Sequence, residues 1–411
     1  MRVQVKIIFP RDLASNMHMP LEALKSQTRR YASPRRLLLA SLAAAFVLLV
    51  FLCQLYNSSS KSLGVEDKIY VISLRNRYRR REDMEKLRLN LKLDWTYFYA
   101  LDSNSQLVSQ IMDWVNVLRT GPPHILDESN NTRAASKLLP NDITFTWPGD
   151  IETLARSKDK IDLWSTGVWP SPITSPKPAP YLPMTCATKN YCLTEYTTEL
   201  KEHLILTHPR AACWHSHLSV IHDIVNHGSP DGFGVSIILE DDVDMEQDIR
   251  KQLAYLWPTL PADWDIVFLG TFSSHMDLSI RSYQFNICDL GHCWSEEAGN
   301  GPLSPLNHPL NNSSTNSRLY IARKPKCTHA YALSRTGARR LLLHLRYPPF
   351  AYSRAIDQAI SWLVESGRLK GFSIVPSLVI QRKVTESDIM PGVGSQWKDG
   401  LIKGVFKDSR L

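Results

Sequence analysis

The seven cysteines of this 411-residue sequence include no Cys-x-x-Cys pair, so a zinc ribbon is not expected. Past residue 36 the chain also lacks a surplus of charge. Residues 1–36 carry eight Lys or Arg against Asp12 and Glu22, which is +6 of the net +8, so the rest of the chain carries only +2. A pI near 9.0 therefore reports a short basic tail, and no nucleic-acid partner is expected.

Directly after the tail comes a single uncharged run of bilayer length. Leu37 to Tyr56 is 20 residues of almost wholly apolar sequence, enough for a helix to cross a membrane. Arg29, Arg30, Arg35 and Arg36 precede it, and Asn57-Ser58-Ser59-Ser60 stand on its far side. Positive charge stays on the cytoplasmic side, so a single-pass type II anchor is expected, with everything beyond it luminal. A cleaved signal peptide fits less well, because the basic region and the apolar run are both too long. The expected organisation is a cytoplasmic tail (1–36), a transmembrane helix (37–56), a stem (57–67), a luminal domain (68–390) and a C-terminal tail (391–411). The expected membrane is that of the Golgi or endoplasmic reticulum. Asn57, Asn130, Asn311 and Asn312 begin N-x-Ser/Thr acceptor sequences, which suit a luminal chain. Cys186/Cys192 and Cys288/Cys293 are close enough in sequence for local disulfides there, although other pairings are open.

Within the luminal part, short β-branched runs alternate with helical patterns. Lys68–Leu74 reads as a buried strand, followed by a basic loop (Arg75, Arg77, Arg79, Arg80, Arg81) and a helix from about Glu82 to Leu91. Trp95–Ala100 reads as a second strand. Leu218, Ile221 and Val225 recur at helical spacing before Gly228, which places His215 and His217 near that helix's start. Val235–Leu239, Ile266–Leu269, Ala330–Leu333 and Phe372–Val375 read as further strands. Ser334 and Ser353 are candidate N-caps for two C-terminal helices. The pattern indicates an α/β fold with a mostly parallel central sheet. Two stretches, about 104–206 and 271–318, break it and read as insertions of loops and short helices.

The chemistry concentrates in Ile237-Ile238-Leu239-Glu240-Asp241-Asp242-Val243, an apolar strand running into three consecutive carboxylates. Like charges so close repel, and a divalent cation with oxygen ligands would offset them. If the extended chain continues, Glu240 and Asp242 share one face and Asp241 takes the other. An acidic surface turn is the plainer alternative. The basic loop after the first strand could seat an anion.

Several blocks resemble glycosyltransferase family 25. They are Val71-Ile72-Ser73-Leu74 with Arg80-Arg81-Glu82, Ala211 through His217, Leu239 through Val243, and Leu260 through Asp265 with Leu269-Gly270. Ala330 through Arg339 with Leu341-Leu342, then Asp357, Gln381 and Ser387-Asp388-Ile389, complete the set. The family includes lipooligosaccharide and collagen galactosyltransferases. The resemblance implies a GT-A-like nucleotide-diphospho-sugar transferase fold and inverting transfer of a sugar, galactose from UDP-galactose first, to an acceptor hydroxyl on a glycan or glycoprotein. It implies Mn²⁺ or Mg²⁺ held by Glu240 and Asp242, with Arg77, Arg80, Arg81, His217 and Asp241 toward the nucleotide-sugar. Asp357 is the implied general base, and Asp388 a further donor or metal contact. One departure is that Ser73-Leu74-Arg75 stands where the family reads Asn-Leu-Asp. A catalytically silent binding or scaffold protein of the same fold, or a calcium-dependent adhesion module, are the alternatives.

Overall fold

A computed structural model describes residues 61–120, 146–164, 182–188, 192–228, 234–270, 317–325, 327–383 and 400–407. The expected membrane span at 37–56, the four glycosylation signals and Asp388 all lie outside these residues. Among the described residues no helix is long and apolar enough to cross a membrane.

The chain opens with β1 (Lys68–Ser73), α1 (Tyr78–Leu91), β2 (Thr96–Tyr99), α2 (Gln106–Thr120) and α3 (Ile151–Arg156). A short hairpin, β3 (Ala187–Thr188) with β4 (Cys192–Leu193), leads to α4 (His208–His227), β5 (Val235–Glu240), β6 (Val243–Met245) and α5 (Ile249–Leu256). Then come β7 (Ile266–Phe268), β8 (Arg318–Ile321), β9 (Ala330–Ser334), α6 (Arg335–Leu345) and α7 (Ile356–Glu365). β10 (Gly371–Val375) and β11 (Val379–Gln381) finish the set.

Seven strands form one sheet in the order β2-β1-β5-β9-β7-β10-β8. β1, β2 and β5 pair in parallel, as do β7 and β10, while β9 runs antiparallel between β5 and β7 and β8 runs antiparallel at the edge. The sheet is therefore mixed and mostly parallel, as the strand–helix alternation suggests. Its central strands are apolar on both faces because both are covered. Ile69, Val71, Ile237 and Leu239 pack with Met84 and Leu87 of α1 and Ile249 and Leu253 of α5. Tyr70, Ile72, Ile238 and Tyr331 point the other way, onto α2, α4, α6 and α7. Each fully buried aliphatic side chain in these layers contributes about 1.5–3 kcal/mol.

Several local expectations change. α1 begins at Tyr78, so Arg79–Arg81 belong to its first turn and not to a loop; no breaker stands between Arg77 and Glu82. The 104–206 stretch contains α2, whose Val108, Ile111, Trp114 and Val115 are core residues. Ser334 caps α6, accepting from Gly337 N at 3.0 Å. Ser353 caps nothing: the residue before α7 is Ala355, and the Ser353 carbonyl accepts Ala187 N at 2.7 Å. Cys186 is a buried free thiol, so the Cys186/Cys192 bridge does not form, whereas Cys327 is disulfide-bonded. Part of the expected polar stem is packed, with Leu63 and Val65 in the core. Residues 402–406 are likewise held, their backbone N–H groups donating to Glu246 and Asp244.

His344 on α6 is buried, its Nδ1 2.7 Å from Arg340 O and its ring 4.6 Å from Trp147, with the charges of Arg368, Arg340 and Glu152 acting on it. Burial lowers its pKa to about 4. An unfolded histidine titrates near 6.5, so between these values the unfolded chain binds the extra proton and the folded one does not. The stabilisation is complete above about pH 6.5 and is lost as pH falls toward 4, by about 3 kcal/mol at most. Thermal melts from pH 7.5 to 4.5 should show a steeper drop in Tm for the wild type than for His344→Gln.

Candidate active site

Side-chain alternation along β5 decides where the acids go. Ile238 faces α4, so Glu240, two residues on, faces α4 as well. There Glu240 Oε1 lies 3.4 Å from His217 Nε2 and accepts Thr328 Oγ1 at 2.7 Å. His217 is 1% exposed, and its Nδ1 lies 2.9 Å from the Tyr331 hydroxyl. The Glu240 backbone N–H donates to His329 O, which ties β5 to the start of β9. Burial pushes Glu240 up, but the bond and charge of His217, the Thr328 hydroxyl and the charge of His329 outweigh it. The carboxylate is held below the usual range.

The strand ends at Glu240 and the chain turns, so the expected alternation does not continue. Asp241 and Asp242 instead share one partner on the opposite layer. Arg80 Nη1, from the first turn of α1, lies 3.1 Å from Asp241 Oδ1 and 3.4 Å from Asp242 Oδ2. Gln381 Nε2 donates to Asp242 Oδ2 at 3.2 Å, and Arg382 N donates to the Asp242 carbonyl at 2.7 Å. Burial raises Asp241, against a hydrogen bond from Ser73 and the charge of Arg80. Burial and then the Glu240 charge push Asp242 up to about 7, with Arg80 pulling the other way.

The other expected residues separate. Arg81 is committed to the β1–α1 connection, donating to Ser73 Oγ at 3.1 Å, to Leu74 O, and to Arg75 O at 2.6 Å. Arg77 stands at the N-terminus of α1. Asp357 lies in the first turn of α7. Burial raises the Cys213 thiol most, and the charges of Glu240 and Asp357 both add to it. Asp357 therefore approaches the same part of α4 as the acidic turn. Sequence reasoning misses Thr328 and Tyr331. Their partners are far away along the chain, and only the β5–β9 pairing brings them in. Gly270 does carry a legible reason: a Cβ there would overlap His329 and the Val379 carbonyl, so no larger residue fits where β7 ends beneath β9.

Among the described residues no three His, Cys, Asp or Glu side chains form a ready-made cation site. The acidic turn nevertheless suits a cation that brings further ligands with it. Asp242 Oδ1 is buried and accepts no hydrogen bond among the described residues. Two carboxylates, Asp241 and Asp242, also share the Arg80 guanidinium. Mg²⁺-type ions are commonly held by one or two carboxylates plus substrate phosphates. Asp241 and Asp242 would be those carboxylates; Glu240 Oε1 already serves Thr328 and His217.

With this geometry in place, comparison with known families is informative. Residues 187–359 match the family model described as Glycosyltransferase family 25 (LPS biosynthesis protein). The matched stretch contains His217, Glu240, Asp241, Asp242, Thr328 and Asp357, and it leaves out β1 and Arg80. The match supports a glycosyltransferase. No curated protein matches the chain.

Arg80 should matter to stability as well as to the site. Removing one partner of a buried ion pair leaves charge uncompensated and costs about 3–5 kcal/mol. Arg80→Gln should therefore lower the urea midpoint strongly. Exposed Arg79→Gln on the same turn should change stability by less than about 0.5 kcal/mol.

Proposed function

We propose that the chain is a metal-assisted, inverting glycosyltransferase with a GT-A-like fold. It moves galactose from UDP-galactose to a hydroxyl of a glycan or glycoprotein. The observation that carries this reading is the buried acidic turn: Asp242 with an unsatisfied Oδ1 at the C-terminal end of β5, beside Arg80, within the family-matched stretch. In open α/β sheets ligands bind beyond the carboxyl ends of the strands, and Ser73, Glu240 and Phe268 end their strands at that edge.

In the reaction the acceptor oxygen attacks the anomeric carbon while the bond to the diphosphate oxygen breaks, and UDP leaves with the electron pair. Mn²⁺ or Mg²⁺, when bound, offsets the charge that develops on the leaving diphosphate. Asp241 and Asp242 hold that charge-neutralising site, and Arg80 keeps the two carboxylates together. Glu240, fixed by His217 and Thr328, holds the end of β5 in place. Asp357 takes the acceptor proton as general base. Arg77 lies at the edge where the nucleotide enters.

A type II anchor through 37–56 places this domain in the Golgi or endoplasmic reticulum lumen. The disulfide at Cys327 supports an oxidising compartment. One observation favours a second reading, a silent binding domain: Arg80 already reaches both acids of the turn.

Release of UDP from a panel of UDP-sugars, with and without Mn²⁺, separates the two. The wild type should turn over UDP-galactose in a Mn²⁺-dependent way, and Asp242→Asn should reduce transfer at least about 100-fold. Asp357→Asn should keep UDP affinity and lose transfer by about 10²–10⁴-fold. No turnover and no Mn²⁺-dependent UDP binding would leave the silent domain standing.

A further inference from the structure

Away from the acidic turn, Arg119 and Arg210 donate to the two residues of the Thr185–Ile205 bridge, of which Thr185 is next to Cys186 in the chain. Arg119, near the end of α2, donates from Nη1 to Thr185 O at 2.7 Å and from Nη2 to Tyr352 O at 3.2 Å. Arg210, in the first turn of α4 and 4% exposed, donates from Nη1 to Glu202 O at 2.6 Å and to Ile205 O. Arg354 is also buried, just ahead of α7. All three guanidiniums, and the Asp357 carboxylate, act electrostatically on Cys186.

Buried cations are ordinarily paired with acids. Among the described residues neither Arg119 nor Arg210 has a carboxylate partner; their acceptors are backbone carbonyls. Burial lowers Arg119 to about 10, so it stays charged at neutral pH. Nη1 of Arg210 serves both of its carbonyls, and Nε and Nη2 make no hydrogen bond among the described residues. A planar guanidinium with free edges is suited to a carboxylate or phosphate, which it binds through paired N–H donors. Arg119 and Asp357 both retain some exposure.

Position relates this cluster to the reaction. Arg210 and His217 are seven residues apart on α4, two helical turns or about 10 Å along its axis. His217 contacts Glu240 at one end of that interval. Cys213, between them, is acted on by both Glu240 and Asp357. The cluster therefore lies on the Asp357 side of the acidic turn, at a spacing a short glycan can bridge.

We propose that Arg119 and Arg210 form an anion subsite for the acceptor, a glycan with a carboxylate or phosphate close to the receiving hydroxyl. The anion supplies the carboxylate or phosphate partner that Arg119 and Arg210 lack among the described residues, and so places the hydroxyl at Asp357. This inference rests on the glycosyltransferase reading.

The test compares methyl β-D-glucuronide, glucose 6-phosphate and methyl β-D-glucoside by calorimetry on the whole protein, with UDP binding measured separately. At least one anionic sugar should bind about ten-fold or more tightly than the glucoside, an advantage that shrinks with added salt. The better of the two tells carboxylate from phosphate. Arg210→Gln should remove that preference. If that variant does not fold, Arg119→Lys should still weaken the preferred sugar, because a point charge does not replace the fork. Equal affinity of the wild type for all three sugars would overturn the proposal and leave the arginines as braces for backbone carbonyls. Preference for the anionic sugar without UDP binding would instead remove the glycosyltransferase reading and keep the anion subsite.

Discussion

Three adjacent carboxylates that are largely withdrawn from water can stand together only if opposite charge and hydrogen-bond donors are carried to them. Much of the arrangement around β5 answers that requirement. The acids are divided between the two layers of the sandwich. Glu240 is taken by the α4 layer through His217 and by the β9 strand through Thr328. Asp241 and Asp242 are taken by the α1 layer through Arg80. The division follows from the pleat of β5 as far as Glu240, and from the turn beyond it.

The antiparallel strand β9 has a role that a wholly parallel sheet could not fill. Running between β5 and β7, it brings its start, and the residues preceding it, to the edge where the parallel strands end. Thr328 and His329 are thus delivered beside Glu240, and Tyr331 beneath His217. Gly270 permits His329 to lie across the end of β7. On the other side, β11 pairs with β6 immediately after the acidic turn and places Gln381 and Arg382 against Asp242.

Legibility along the chain follows how local each signal is. The β1, β5, β9 and β10 strands are short runs whose composition alone marks them, and the Ser334 cap is a contact of three residues' reach. The α2 helix is legible too, since Val108, Ile111 and Val115 stand at helical spacing, but the surrounding prolines and scattered tryptophans obscure it. The extension of α1 back to Tyr78 is hidden by a run of arginines that reads equally well as a loop. Ser353 illustrates the opposite error: a good capping residue whose backbone is engaged with the β3 segment instead. The grouping of Glu240, Asp241 and Asp242 as the chemical centre is plain in the residues themselves. Their individual partners are not, because Arg80, His217, Thr328 and Gln381 come from four separate parts of the chain.

The sequence by itself determined the acidic strand end, the alternation of strands and helices, and the uncharged run ahead of the domain. Each is a property of neighbouring residues: composition, spacing and charge density. Only the tertiary structure decided which carboxylate meets which cation, that Cys186 stays a free thiol among arginines, and that a strand of reversed direction lies beside β5. Those depend on chain segments far apart in sequence, 161 residues in the case of Arg80 and Asp241. Such segments are brought together by burying both faces of a sheet, and no local pattern records which of them will meet.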